Sequence, residues 1–345
     1  MRTLALVLAA TYAVTMAGVA TIGLVPTVPW LFLALVVVMI VPLAVALTAL
    51  GNAVGARCAR HGIPIAPVGI AVGLVVAWLH RLQSPRLQAI AAVLLVTIGV
   101  AIVRRRVTNV RLVVWSLVAL VLGYGTIWNL NYVAARATAG RLHDAWLRDL
   151  DLACYGWLAG RPIATIAGLF PLVDARPAFA LLENAYGMLF TEVGLTILVL
   201  VHVGRPLVRF FVALFACYAV GLLVFVVYPT VGPCIFEPDS FRAAFHDTFT
   251  YGLMQRMAQE YAAVAAGTTG NGAAYFVALP SLHVAVVTLL QRTLAVSRPH
   301  FWMMLPVNLL LAASTVLLGY HYLVDVPAGI AVALGVAWCA ERRDA

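Results

Sequence analysis

The chain has 345 residues, 64% of them hydrophobic and 10% charged, with a mean hydropathy of +1.01. An average soluble domain is about one quarter charged, so this composition excludes a soluble globular enzyme, a disordered tail and a nucleic-acid-binding domain. The net charge of +9 rests entirely on arginine, because the chain has no lysine, and in so apolar a sequence it is first a topology signal.

A helix needs about 20 apolar residues to cross a bilayer core. On that measure the sequence predicts an all-α polytopic membrane helix bundle of about ten spans, at 4–24, 30–50, 63–80, 87–103, 112–132, 179–203, 207–228, 281–296, 301–320 and 324–340. The first run reads as a retained helix rather than a signal peptide, since Arg2 alone precedes it and a second apolar run follows at once. Two connections are long. Segment 133–178 sets Leu142, Trp146, Leu147, Leu150 and Leu152 among charges, the pattern of an amphipathic interfacial helix. Segment 229–280 is polar, opens on the Tyr-Pro-Thr-Val-Gly-Pro turn at 228–233, and is long enough to suggest a function. Glu183 and Glu192 fall nine residues apart in one predicted helix, on nearly opposed faces, either lining a polar cavity or lying near the interface.

Arginine counting sets the orientation. With the N-terminus inside, cytoplasmic segments hold 13 of the 22 arginines, including the Arg104–Arg106 cluster and Arg342 with Arg343. The other nine lie outside, among eight of the 13 acids. The expected location is an integral multi-pass membrane protein, in the plasma membrane if bacterial. Cys58, Cys154, Cys217, Cys234 and Cys339 show no metal-type spacing. Cys154 and Cys234 are the two placed outside, where a disulfide between them is one option.

Two stretches concentrate the polar residues. Ala-Leu-Pro-Ser-Leu-His at 278–283 opens one predicted helix, and 314–325 straddles the end of another and the start of the last. The hairpin between them brings His283 and His321 to the same depth at the outer face. Histidine serves as nucleophile or general acid near neutral pH. Asp325, four residues after His321, would share its face if the helix is continuous there, and would orient the imidazole. Pro280 and Ser281 suit a helix N-terminus, whose free N–H groups favour an anion. Together these suit a phosphoester. The same ligand types also suit zinc, but no further ligand cluster lies near, so no metal or other cofactor is expected.

Pro-Ser-Leu-His at 280–283 resembles the second motif of the type 2 phosphatidic acid phosphatase superfamily. Ser314, His321 and Asp325 match the spacing of its third motif, Ser-Arg-x5-His-x3-Asp. The leucine variant and the His-Tyr-x-x-Asp-x-x-x-Gly run at 321–329 look most like the branch that contains inositol phosphorylceramide synthases. The resemblance covers roughly 112–340 and implies a six-helix phosphatase-like core within 112–345. Segment 1–111 is then an added set of transmembrane helices of unexplained role. It further implies that His321 becomes phosphohistidine, Asp325 orients it, and His283 protonates the leaving alkoxide. Substrate binding would fall to Ser281 with nearby backbone N–H groups, Leu282 among them, and to Ser314.

The sequence departs from the family pattern twice. Thr315 stands where the third motif has its phosphate-binding arginine, and the first motif, Lys-x6-Arg-Pro, is absent. Charge stabilisation is usually a large catalytic term, so another arginine outside must supply it. Arg242, just past the 228–233 turn, is the first choice, with Arg256, Arg136, Arg148 and Arg176 on the same side. The expected function is a membrane-embedded lipid phosphatase or phosphotransferase acting on a lipid phosphate or phospholipid at the extracytoplasmic face. The alternative is a non-catalytic or transporter-like lipid-handling protein that retains the fold. Membrane lipids are the expected surroundings, nucleic acid is not a partner, and the oligomeric state is not legible.

Overall fold

The computed structural model describes residues 2–21, 56, 110–159, 176–238, 249–268 and 274–342. The expected spans at 30–50, 63–80 and 87–103 lie outside the described residues, as do Arg242 and most of the proposed N-terminal segment. Among the described residues every regular element is a helix: α1 Arg2–Thr21, α2 Val110–Thr138, α3 Asp144–Ala159, α4 Arg176–Gly187, α5 Leu189–His202, α6 Leu207–Val227, α7 Pro233–Phe236, α8 Phe249–Ala265, α9 Leu282–Leu294, α10 Arg298–Leu317 and α11 Asp325–Arg342.

Val118–Thr138 within α2, α6 and α10 are long and apolar enough to cross a membrane, and their composition is that of a membrane protein. The expected span 179–203 is a bent pair, with 44° between Ala180–Gly187 and Leu189–His202, and counts as one further span if taken together. The helix α9, which follows Pro-Ser, is apolar but shorter.

Local chemistry explains where these helices stop. Pro229 restricts Tyr228 to extended backbone, which closes α6, and the C-cap Tyr228 has φ −135 and ψ 75. Ser297 and the proline after Arg298 start α10 three residues before the apolar run begins. At its other end, Gly319 at φ +76 takes the left-handed position that ends a helix. His321 therefore lies in the turn between α10 and α11, not on a helix. The condition on which Asp325 would share a helical face with His321, a helix continuous through both, is not met.

The helix α9 is the hub, packed against α5, α6, α10 and α11. Leu282 is buried on its core side against Gly221 of α6, where a Cβ would meet Leu282 Cδ2 at 2.7 Å. The helix α2 packs on α1, α5, α6 and α8. Its Asn131 receives a hydrogen bond from Phe276 N (2.9 Å) and donates to Ala274 O (3.3 Å), holding the extended segment that leads to Pro280. Glu183 and Glu192 go separate ways. Glu183 accepts from the backbone N and hydroxyl of Thr250 at the start of α8 (2.7 and 2.6 Å). Glu192, fully buried in α5, faces the Asn308 amide of α10, which donates to it.

Candidate active site

Three loops converge at one end of α9. The first is 228–232, the second 276–281 and the third 318–325. Loops one and two pair through backbone, with Ala278 N donating to Thr230 O (2.9 Å) and Leu279 N to the Thr230 hydroxyl (3.1 Å). The helix α7, which follows loop one, meets loop three where Cys234 N donates to Gly319 O (3.0 Å). Gly232 has φ +86, and a Cβ there would stand 2.3 Å from Tyr320 O, so only glycine fits. Loops two and three meet where Ser281 N donates to Asp325 O (3.1 Å). On α11, Gly329 lies so close that a Cβ would stand 2.4 Å from Ser281 O.

His321 is held from both sides. Its backbone N, with that of Tyr320, donates to Thr315 O (3.0 and 3.1 Å). Its Nδ1 lies 2.9 Å from Ala278 O and 3.4 Å from Asp325 Oδ2. A carbonyl oxygen can only accept, so Nδ1 carries the proton and Nε2 is left with its lone pair. The nearer Nδ1 partner is thus the Ala278 carbonyl, two residues before the second motif, with the carboxylate behind it. Asp325 Oδ2 also accepts from Tyr322 N (2.9 Å), which fixes the carboxylate in the turn. Asp325 Oδ1 is buried with no hydrogen-bond partner among the described residues.

The His283 ring stands 5.9 Å from that of His321, centroid to centroid, at 63°. On its other face it stacks on Tyr186 of α4 at 4.3 Å and 26°. The structure therefore brings His283, His321 and Asp325 together. It turns the other expected site residues elsewhere. The Ser281 hydroxyl caps α9 by accepting from Val284 N (3.4 Å), the Ser314 hydroxyl donates to Leu311 O (2.7 Å), and Leu282 is in the core. The Thr315 hydroxyl likewise bonds Ala312 O (2.7 Å), so what this residue gives the site is its carbonyl.

Two carboxylates that the sequence reading passed over tie the loops together, both from α3. Asp144 accepts from Val231 N (3.0 Å to Oδ2), Gly232 N (2.8 Å to Oδ1) and the Tyr322 hydroxyl (3.3 Å). Asp151 accepts from Leu323 N (2.6 Å) and Val324 N (3.0 Å), the two residues midway between His321 and Asp325. Burial pushes the Asp144 carboxyl up to about 6, against the pull of its three donors. Burial also raises Asp151. Both are marked in the sequence. Asp144, Leu147 and Asp151 recur at helical spacing, so two acids lie on the buried side of an amphipathic helix. Cys154 is exposed on α3 and Cys234 is buried in α7, and the optional disulfide between them is not formed.

Among the described arginines that the arginine count assigns to the outer side, Arg148 shares α3 with these acids and pairs with Glu237 and Asp149. Arg136 donates to Ala265 O. Arg256 is exposed on α8.

Comparison with known proteins gives one match. The family model described as PAP2 superfamily matches residues 163–339, just over half of the chain and the part that holds both histidines and Asp325. No curated protein and no solved structure matches the chain.

Proposed function

The chain belongs to the PAP2 superfamily, and from that premise we propose that it is a membrane-embedded lipid phosphatase whose nucleophile is His321. The observation that carries the reading is the fixed His321 tautomer. With Nδ1 committed to Ala278 O and Asp325, Nε2 has its lone pair free beside the His283 ring.

In the first step Nε2 of His321 bonds to phosphorus, the ester P–O bond breaks, and His283 delivers its proton to the leaving oxygen. Asp325 stabilises the charge that His321 gains. In the second step His283 takes a proton from the attacking water, the N–P bond breaks, and phosphate leaves. An alcohol in place of water gives headgroup transfer from the same intermediate, as the inositol phosphorylceramide synthase-like branch would do. Positive charge on the phosphate falls to an arginine, with Arg242 the first candidate and Arg148 the second. The backbone N–H of Leu282, in the first turn of α9, is the remaining candidate donor to the phosphate, while Ser281 and Ser314 contribute only by placing the loop and the end of α10. The arginine bias supports a site on the extracytoplasmic face.

The test is a panel of lipid phosphates offered to purified protein, with released phosphate and transferred headgroup measured together. His321→Ala should lose all turnover, and Asp325→Asn should lose orders of magnitude in kcat. Wild-type turnover by His321→Ala rejects the assignment. A second reading, a lipid-handling protein without catalysis, is favoured by Thr315 standing where the family has an arginine. Absence of turnover on every lipid phosphate, with lipid still bound, would select it.

A further inference from the structure

Tyr186 closes the last turn of α4, just before the bend into α5. Its ring is sandwiched between two others, with His283 on one face (4.3 Å, 26°) and Tyr320 on the other (4.3 Å, 16°). Tyr320 is the residue before His321. One side chain therefore bridges the helix that carries one histidine and the turn that carries the other.

His283 depends on this stack for its orientation. Neither of its ring nitrogens has a hydrogen-bond partner among the described residues, in contrast to Nδ1 of His321. A general acid must aim one N–H at the leaving oxygen, and a ring without a hydrogen bond holds its aim only by packing.

We infer that Tyr186 is a positioning residue for His283, acting on protonation of the leaving group and not on attack by His321. The inference rests on the phosphohistidine reading above. It separates two kinds of substrate. An alkyl phosphate expels a strongly basic alkoxide and needs the proton. An aryl phosphate such as p-nitrophenyl phosphate expels a weakly basic phenolate and leaves without it.

The experiment compares wild type with Tyr186→Phe, Tyr186→Leu and Tyr186→Met on a short-chain alkyl phosphate and on p-nitrophenyl phosphate. The phenylalanine ring keeps the stack and should keep both rates. Loss of the ring should lower kcat on the alkyl ester about tenfold more than on the aryl ester. Two aliphatic variants are used so that one folded protein suffices, and Tyr186→Phe gives the conservative rescue. Equal losses on both esters, or a Tyr186→Phe protein as impaired as Tyr186→Leu, overturns the inference. His321→Ala and His283→Ala are run beside them. Activity of His321→Ala on the aryl ester, or a His283→Ala protein without aryl preference, would instead overturn the phosphohistidine reading.

Discussion

Removing the Asp151 carboxylate tests whether α3 holds the turn that carries His321. Asp151 lies 1% exposed and gives one oxygen each to Leu323 N at 2.6 Å and Val324 N at 3.0 Å. Alanine at 151 leaves both N–H groups without their acceptor. An unsatisfied buried donor costs about 1–3 kcal/mol. Leu323 and Val324 are themselves only half-buried, so water offsets part of this and the lower range, about 2–4 kcal/mol for the pair, applies. The turn remains tied at Thr315 O and at Asp325, so the loss is local and the turn shifts rather than unfolds. A displacement of about 1 Å in a catalytic group costs about a hundredfold. Phosphate release by purified Asp151→Ala should therefore show kcat down about a hundredfold with KM little changed. Asp151→Asn should fall between, because one oxygen remains while its NH2 opposes the second N–H. Amide exchange in 320–326 should quicken in parallel. A folded Asp151→Ala protein with kcat within about twofold of wild type would refute the reasoning.

Gly329→Ala should impair the enzyme although alanine is the better helix former by about 1 kcal/mol, because its Cβ would stand 2.4 Å from Ser281 O. A thermal shift and kcat measured together check this, and an unaltered protein would contradict the close approach. Asp144→Asn should change how stability depends on pH. The folded carboxyl titrates near 6 against an ordinary 3.8, so its contribution is full below 3.8 and is lost as pH rises through about 6. Across that interval wild type should lose about 3 kcal/mol that the asparagine variant does not lose, read as the difference in their Tm-against-pH slopes. A membrane-impermeant maleimide should label the exposed Cys154 in intact cells and not Cys154→Ser, whereas labelling only after permeabilisation would reverse the topology.

Much of the helical frame was legible because apolar runs stop at proline and glycine. Pro229, Pro280 and Gly319 each mark a boundary in the sequence and in the fold. The His283–His321–Asp325 set was legible as types and spacing, but its geometry was not. Four residues suggest one helical turn, yet Gly319 ends α10 early, and the partner that fixes the His321 tautomer is a main-chain carbonyl that no side-chain pattern could reveal. The same reason hid Asp144 and Asp151, whose partners are mostly backbone N–H groups 87 and more residues away. Tyr186 gave no signal at all, since an aromatic residue in an apolar run looks like any other. The bend between α4 and α5 was also missed, because a run of apolar residues does not announce a change in direction.

The two carboxylates of α3 lie upstream of residue 163, where the family match begins. A fragment cut at that point would keep every residue by which the family is recognised and would still lose the splint of the turn that carries His321, the proposed nucleophile. Fragments and chimaeras of this protein are therefore better cut by where the loops are braced than by where the match starts, and a shortened protein that binds lipid yet turns over nothing would be reporting a missing brace, not a missing histidine.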